Sequence, residues 1–237
     1  EQEVQLSQQM EEGENILKRV ISQSGMIIPE FYKLSMKTFS RFDPKEADMS
    51  KKEISDMMAE RRRLNQFYRD SLKDVSAPLK SYMEAKNKVL TIGGNILEDA
   101  ALRKKAKAIM ARLKKVDIHQ DEIQKLSEKF MTTAQKIEAC IKEQKKLEES
   151  LHVTSPQELR SLGRSLATAA KRKSIEDSLG MTSEVIKEKI RIIQLNEKKL
   201  RCIEADFENS VDEILGMAKQ ISEGVNMMKN ARVITPA

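Results

Sequence analysis

The stretch from Leu102 to Leu151 constrains the fold most. Its apolar positions step by four and three: Leu102, Ala106, Ile109, Leu113 and Val116, then Ile123, Leu126, Phe130, Thr133, Ile137, Cys140, Gln144, Leu147 and Leu151. That is the seam of a coiled coil, with two phases joined near Gln120 by an extra three-residue step. Lys, Arg, Glu and Gln fill most other positions. As one helix, about fifty residues at 1.5 Å each would span roughly 75 Å. Such a helix cannot bury its stripe against itself, so other long helices must lie along it.

The rest of the chain repeats the pattern. Leu6, Met10, Gly13, Leu17, Val20 and Ser24 keep the step in a first helix, with Gly25 a plausible stop. Pro29 then opens a short helix to Phe42, ended by Asp43 and Pro44, or else it kinks one longer helix. Asp48 and Ser50 are candidate N-caps, and Ser50 with Glu53 makes a capping-box pattern. A seam from Ile54 to Ile96 runs through Pro78, which reads as a bend, and through Gly93-Gly94, where the unbroken phase favours a second bend over a turn. Asp117 or Asp121 could cap a helix after the phase change. Ser155, Pro156 and Glu158 mark a clear helix start after Leu151. The last seam runs to about Lys229, with Gly180 the expected kink.

No segment alternates with period two. The expected fold is therefore all-α: an elongated antiparallel coiled coil of three long kinked helices, one domain over residues 1–237. The helical segments are about 4–42, 50–151 and 155–229. Composition agrees, with charged residues at 34%, aromatics at 4% and no Trp, which suits long helices better than an aromatic-rich core.

Catalysis is not expected, and neither is a cofactor or a metal. His119 and His152 both fall at helix joints without a cysteine or carboxylate pattern of ligand spacing. No Gly-rich phosphate loop or nucleophile motif is present. Cys140 lies on the seam as a small core residue. Cys202 follows Arg201, which could lower its thiol pKa, although a structural role is the simpler reading. The two cysteines suit a reducing, cytoplasmic setting. No run approaches membrane-spanning length. The opening on Glu1 instead of Met points to a processed or trimmed chain. The Met residues, among them Met10, Met26, Met36, Met57, Met58, Met227 and Met228, read as adaptable core or as a docking groove.

The basic clusters carry the functional signal. Arg103, Lys104, Lys105, Lys107, Arg112, Lys114 and Lys115 stand together with no acid among them. Arg160, Arg164, Lys171, Arg172 and Lys173 form a second acid-free block. Elsewhere acids are interleaved, and the net charge is only +6. A solvated helix face is the plain reading. The functional one is binding of phosphates, either anionic lipid headgroups or nucleic acid. Nucleic acid fits less well, because no aromatic is interleaved with the basic residues.

One further pattern bears on this choice. Arg69-Asp-Ser-Leu-Lys-Asp-Val-Ser-Ala-Pro-Leu-Lys-Ser-Tyr82 resembles the Pro-Leu part of the second helix in the BAR superfamily of membrane-curvature proteins. Glu204-Ala-Asp-Phe-Glu-Asn-Ser-Val-Asp-Glu-Ile-Leu215 resembles that family's late third helix more loosely. The resemblance implies an antiparallel homodimer, a curved rod whose basic residues contact anionic lipid, peripheral at a membrane. Both basic blocks would then be lipid-contact residues. The alternative is a coiled-coil scaffold that binds proteins and no lipid.

Overall fold

Apolar spacing and capping chemistry resolve into helices. The computed structural model describes residues 2–40 and 49–233, and among them the secondary structure is helical throughout. In chain order the helices are α1 (Gln2–Gln23), α2 (Ile27–Phe39), α3 (Lys51–Thr91), α4 (Ala100–Leu113), α5 (Gln120–Leu151), α6 (Pro156–Ser165), α7 (Ala169–Leu179), α8 (Ser183–Phe207) and α9 (Val211–Val233). The expected helix end at Phe42, the stops at Asp43 and Pro44 and the cap at Asp48 lie outside the described residues.

Several local expectations hold. The chain breaks at Ser24 to Met26, and Pro29 stands in the first turn of α2, where a missing N–H costs nothing. Ser50 caps α3 with both bonds of the box: its hydroxyl accepts from Glu53 N–H at 3.3 Å, and the Glu53 carboxylate accepts from Ser50 N–H at 2.8 Å. Pro78 lies inside α3, which continues past it. Ser155 caps α6 with Pro156 in the first turn. The Glu158 carboxylate reaches one residue further than a standard box, accepting from Thr154 N–H at 2.6 Å.

Other expectations are corrected. Gly93-Gly94 is a stop, not a bend. Gly93 takes φ +74°, its N–H donates to Leu90 O at 3.0 Å, and Gly94 N–H donates to Val89 O at 2.9 Å. These are the two bonds of a Schellman motif, which needs a left-handed residue. The 50–151 segment is therefore three helices, with a second break between Leu113 and Gln120. Neither Asp117 nor Asp121 caps α5. His119 does, its Nδ1 accepting from Asp121 N–H at 3.2 Å, while Asp117 Oδ1 takes Ile118 N–H at 2.9 Å. The 155–229 segment breaks after Ser165, at Gly180 and again at Glu208 to Ser210.

The described contacts group into two units, one of residues up to Met131 together with those from Ala205, the other Thr132–Glu204. In the first, α1 packs on α9, α2 on α3, and α4 on both α2 and α3. Its core includes Ile21, Met26, Phe31, Leu64, Tyr68, Leu72, Phe130, Phe207 and Ile214. Phe130 meets Phe207 edge to face at 5.2 Å between ring centres. α1 and α9 touch backbone to backbone: a Cβ on Gly13 would stand 2.7 Å from Gly224 O, and one on Gly224 3.0 Å from Gly13 O. In the second unit Leu151, Val153, Leu159, Leu166, Ile186, Ile190 and Ile193 form the core. Ile137 and Phe130 are fully buried as the seam requires, and Leu147 is half-buried against the core of the second unit.

Candidate functional site

The first basic block becomes the outer face of α4. Asp99 caps this helix, accepting Leu102 N–H at 2.8 Å. Leu102, Ile109 and Leu113 bury one stripe. At 3.6 residues per turn, that stripe turns Lys104 and Lys107 to the opposite side and leaves Arg103, Lys105 and Arg112 on the flanks, and Lys114 and Lys115 follow at the helix end. All seven basic residues from Arg103 to Lys115 are exposed. Among the described residues none of them makes an ion pair, although acids elsewhere in this unit hold Lys33, Lys37, Arg63, Lys86, Lys125 and Lys129. The charge on α4 is thus left facing solvent.

The second block lies in the other unit, so each block stands by itself. Arg160 and Arg164 sit one turn apart on α6 and are exposed, as are Lys171 and Lys173 on α7. Arg172 is different. It is half-buried and its Nε donates to Leu166 O at 3.0 Å, satisfying a carbonyl at the end of α6. Arg172 is therefore held by its own unit, in contrast to the four basic residues around it.

Two polar knots lie inside the first unit, and sequence reading missed the acid in each. In one, Glu208 accepts from Tyr82 Oη at 2.7 Å and from Lys86 Nζ at 2.8 Å, with Lys86 and Glu208 side chains only 6% and 5% exposed. Burial pushes the Glu208 carboxyl above its usual range, against the pull of Lys86 and Tyr82. The signal was present in part, because Lys86, like Arg61, stands on a mostly apolar seam. Glu208 holds φ +53° at the α8–α9 joint. Gly25 abuts this residue, where a Cβ would come within 2.5 Å of Glu208 O, and Gly25 N–H donates to Asn209 Oδ1 at 2.8 Å.

In the other knot, Arg63 donates twice to Glu122, at 2.7 and 3.0 Å. Tyr68 Oη accepts His119 N–H at 2.7 Å. Burial alone would raise the Glu122 carboxyl, but the hydrogen bonds and charge of Arg63 outweigh it and hold the group below its usual range. Arg63 also donates to His119 Nδ1 at 3.2 Å. With a guanidinium and a backbone N–H both aimed at it, Nδ1 is an acceptor, so the ring carries its proton on Nε2. His119 is thus a cap and a strut.

His152 terminates α5 at φ +53°, its N–H donating to Glu149 O at 3.2 Å while Val153 N–H donates to Glu148 O at 3.1 Å, a second Schellman motif. Cys140 is half-buried and Cys202 exposed. Of the seven methionines singled out, Met26 is buried, Met36 is exposed and the others are half-buried. Among the described residues no group of three His, Cys, Asp or Glu side chains could hold a metal ion. No described helix is long and apolar enough to cross a membrane. No protein-family model matches the chain, and no solved structure matches it significantly.

Proposed function

We propose that this chain binds anionic membrane surfaces through the cationic face of α4. The observation that carries the reading is the block Arg103 to Lys115, wholly exposed and without ion-pair partners among the described residues. Near an anionic leaflet each such residue contributes about 1 kcal/mol. Leu90 in the last turn of α3, 41% exposed, and its C-cap Ile92, 83% exposed, add an apolar element shortly before α4 in the chain. Apolar side chains beside a cationic helix suit a headgroup layer, where one enters the acyl boundary and the other pairs with phosphate. Arg160, Arg164, Lys171 and Lys173 are the secondary lipid contacts in this reading, and Arg172 is the weakest member of the set.

The BAR-like arrangement belongs to the same proposal: an elongated antiparallel homodimer, peripheral at a membrane in the cytoplasm, with no enzymatic activity. A radius of gyration near the ~18 Å of a compact chain this long would count against elongation. The direct test is co-sedimentation with vesicles of neutral phosphatidylcholine and with vesicles also containing phosphatidylserine, across a salt series. Binding should need the anionic lipid and weaken steadily with salt. Equal binding to both vesicle types, or none to either, leaves the protein-only scaffold as the standing alternative.

A further inference from the structure

α8 carries two apolar stripes where one would be enough to seat it. Ile186, Ile190 and Ile193 are buried in the core of the second unit. A second set, at positions 185, 188, 192, 195, 199 and 202, steps by three and four along another face. Its apolar members are Val185, Ile192, Leu195 and Cys202. Val185 is 45% and Leu195 43% exposed, Ile192 is half-buried, and Cys202 is exposed. The remaining two members are Glu188 and Lys199, both exposed.

This set is its own complement when the helix is turned end for end. Against a reversed copy centred between Ile193 and Gln194, Ile192 of one chain meets Leu195 of the other. Val185 then meets Cys202, and Glu188 meets Lys199, each twice by symmetry. These are the mixed layers of an antiparallel coiled coil with an apolar centre and a charge pair on each side. A parallel pairing would instead stack Glu188 on Glu188 and Lys199 on Lys199, placing like charges face to face. We propose that α8 pairs antiparallel with α8 of a second copy of this chain through these six positions. Among the described residues Glu188 pairs with Arg191, at 3.5 Å with both side chains more than half exposed, and Lys199 Nζ donates to Asn196 Oδ1 at 3.3 Å with the Lys199 side chain exposed, so both can turn to the second copy. The proposal rests on the homodimer in the reading above but not on its lipid contacts, and its tests contain no lipid.

Sedimentation equilibrium of the full chain should show a monomer–dimer equilibrium. Leu195→Glu should weaken it at least tenfold without shifting the thermal melt of the chain, because that side chain lies outside the core. Glu188→Lys and Lys199→Glu should each weaken dimerisation, and the double exchange should restore it. Geometry is read by cross-linking in a Cys140→Ala background under copper–phenanthroline oxidation. Val185→Cys should form disulfide dimers with Cys202 of the second copy. Cys202 alone should not, since antiparallel pairing sets the two Cys202 residues about 25 Å apart. A monomer at every concentration overturns the proposal. So does a dimer indifferent to Leu195→Glu, which must pair elsewhere, and so does efficient Cys202–Cys202 cross-linking, which means the helices run parallel.

Discussion

At the scale of single residues, the informative side chains are the buried charges. Lys86 and Glu208 are nearly sealed from water and satisfy each other at 2.8 Å. Removing one partner leaves the other as an uncompensated buried charge, which costs about 3–5 kcal/mol, whereas replacing both with well-packed neutral groups is close to neutral. Lys86→Ala should therefore lower the melting temperature far more than Lys86→Met combined with Glu208→Gln, in which Tyr82 keeps an acceptor. The sign with pH also follows. Burial already raises Glu208, and without Lys86 its folded form holds a proton still more firmly than the unfolded chain does. The stability of Lys86→Ala should then fall as pH rises through the carboxylate range, and its deficit should be larger at neutral pH than in mild acid.

Glu122 works in the opposite direction. Arg63 holds its carboxyl below the ordinary 4.5, so the folded chain binds fewer protons here than the unfolded one. The stabilisation is present above that ordinary value and is lost as pH drops through the lower, folded one. Glu122→Gln should flatten the acid limb of a plot of melting temperature against pH. Some slope should persist, because Glu30, paired with Lys129 at 2.7 Å, is also held low. An acid limb as steep as in the unaltered chain would show that Arg63 contributes nothing through this pair.

At the scale of helices, the stops decide the architecture, and their chemistry is unevenly written in the sequence. Ser50 with Glu53, and Ser155 with Pro156, could be read directly, because a hydroxyl at an N-cap and a carboxylate three residues on form bonds within one turn. The seam residues Phe130 and Ile137 could be read from their spacing and are fully buried. The breaks at Gly93 and Glu208 could not be read from phase, since a heptad count runs across a turn that happens to preserve it, whereas the phase change near Gln120 marked the joint at His119 but not the residue that caps it. At His119 and Glu208 the cap or joint is a residue type rarely chosen for it, held there by Arg63 in one case and by Tyr82 with Lys86 in the other. Those partners are distant in sequence, so local pattern does not reveal them. In the basic blocks the residue types were legible but Arg172 was not, because its bond to Leu166 O depends on how α7 follows α6. The Gly93 stop is testable alone. An L-residue in its left-handed conformation costs roughly 1–2 kcal/mol, and a Cβ there would touch nothing within 4 Å. Gly93→Ala should therefore lower stability by about that amount through backbone strain alone, and Gly93→Asn, which tolerates the conformation better, should recover part of it in a thermal melt.

At the scale of the whole molecule, the question is whether lipid would sense the net charge or the arrangement of charge. The chain carries +6 in total, a value that draws any protein weakly toward an anionic surface. Reversing Lys104, Lys105 and Lys107 to Glu changes the charge by two units at each site, taking the net value from +6 to zero. Loss of vesicle binding in that variant would not by itself distinguish the α4 face from the total. The matched comparison reverses Lys52, Lys73 and Lys219, which are exposed on α3 and α9 and give the same net charge. If α4 is the contact surface, the first triple variant should lose binding to phosphatidylserine vesicles, because repulsion replaces attraction within a Debye length of about 10 Å at 0.1 M salt. The second should retain most of it. Both should melt like the unaltered chain, since none of the six side chains is buried. Equal losses in the two variants would mean that the surface reads only net charge, and the cationic face of α4 would then be an ordinary solvated helix face.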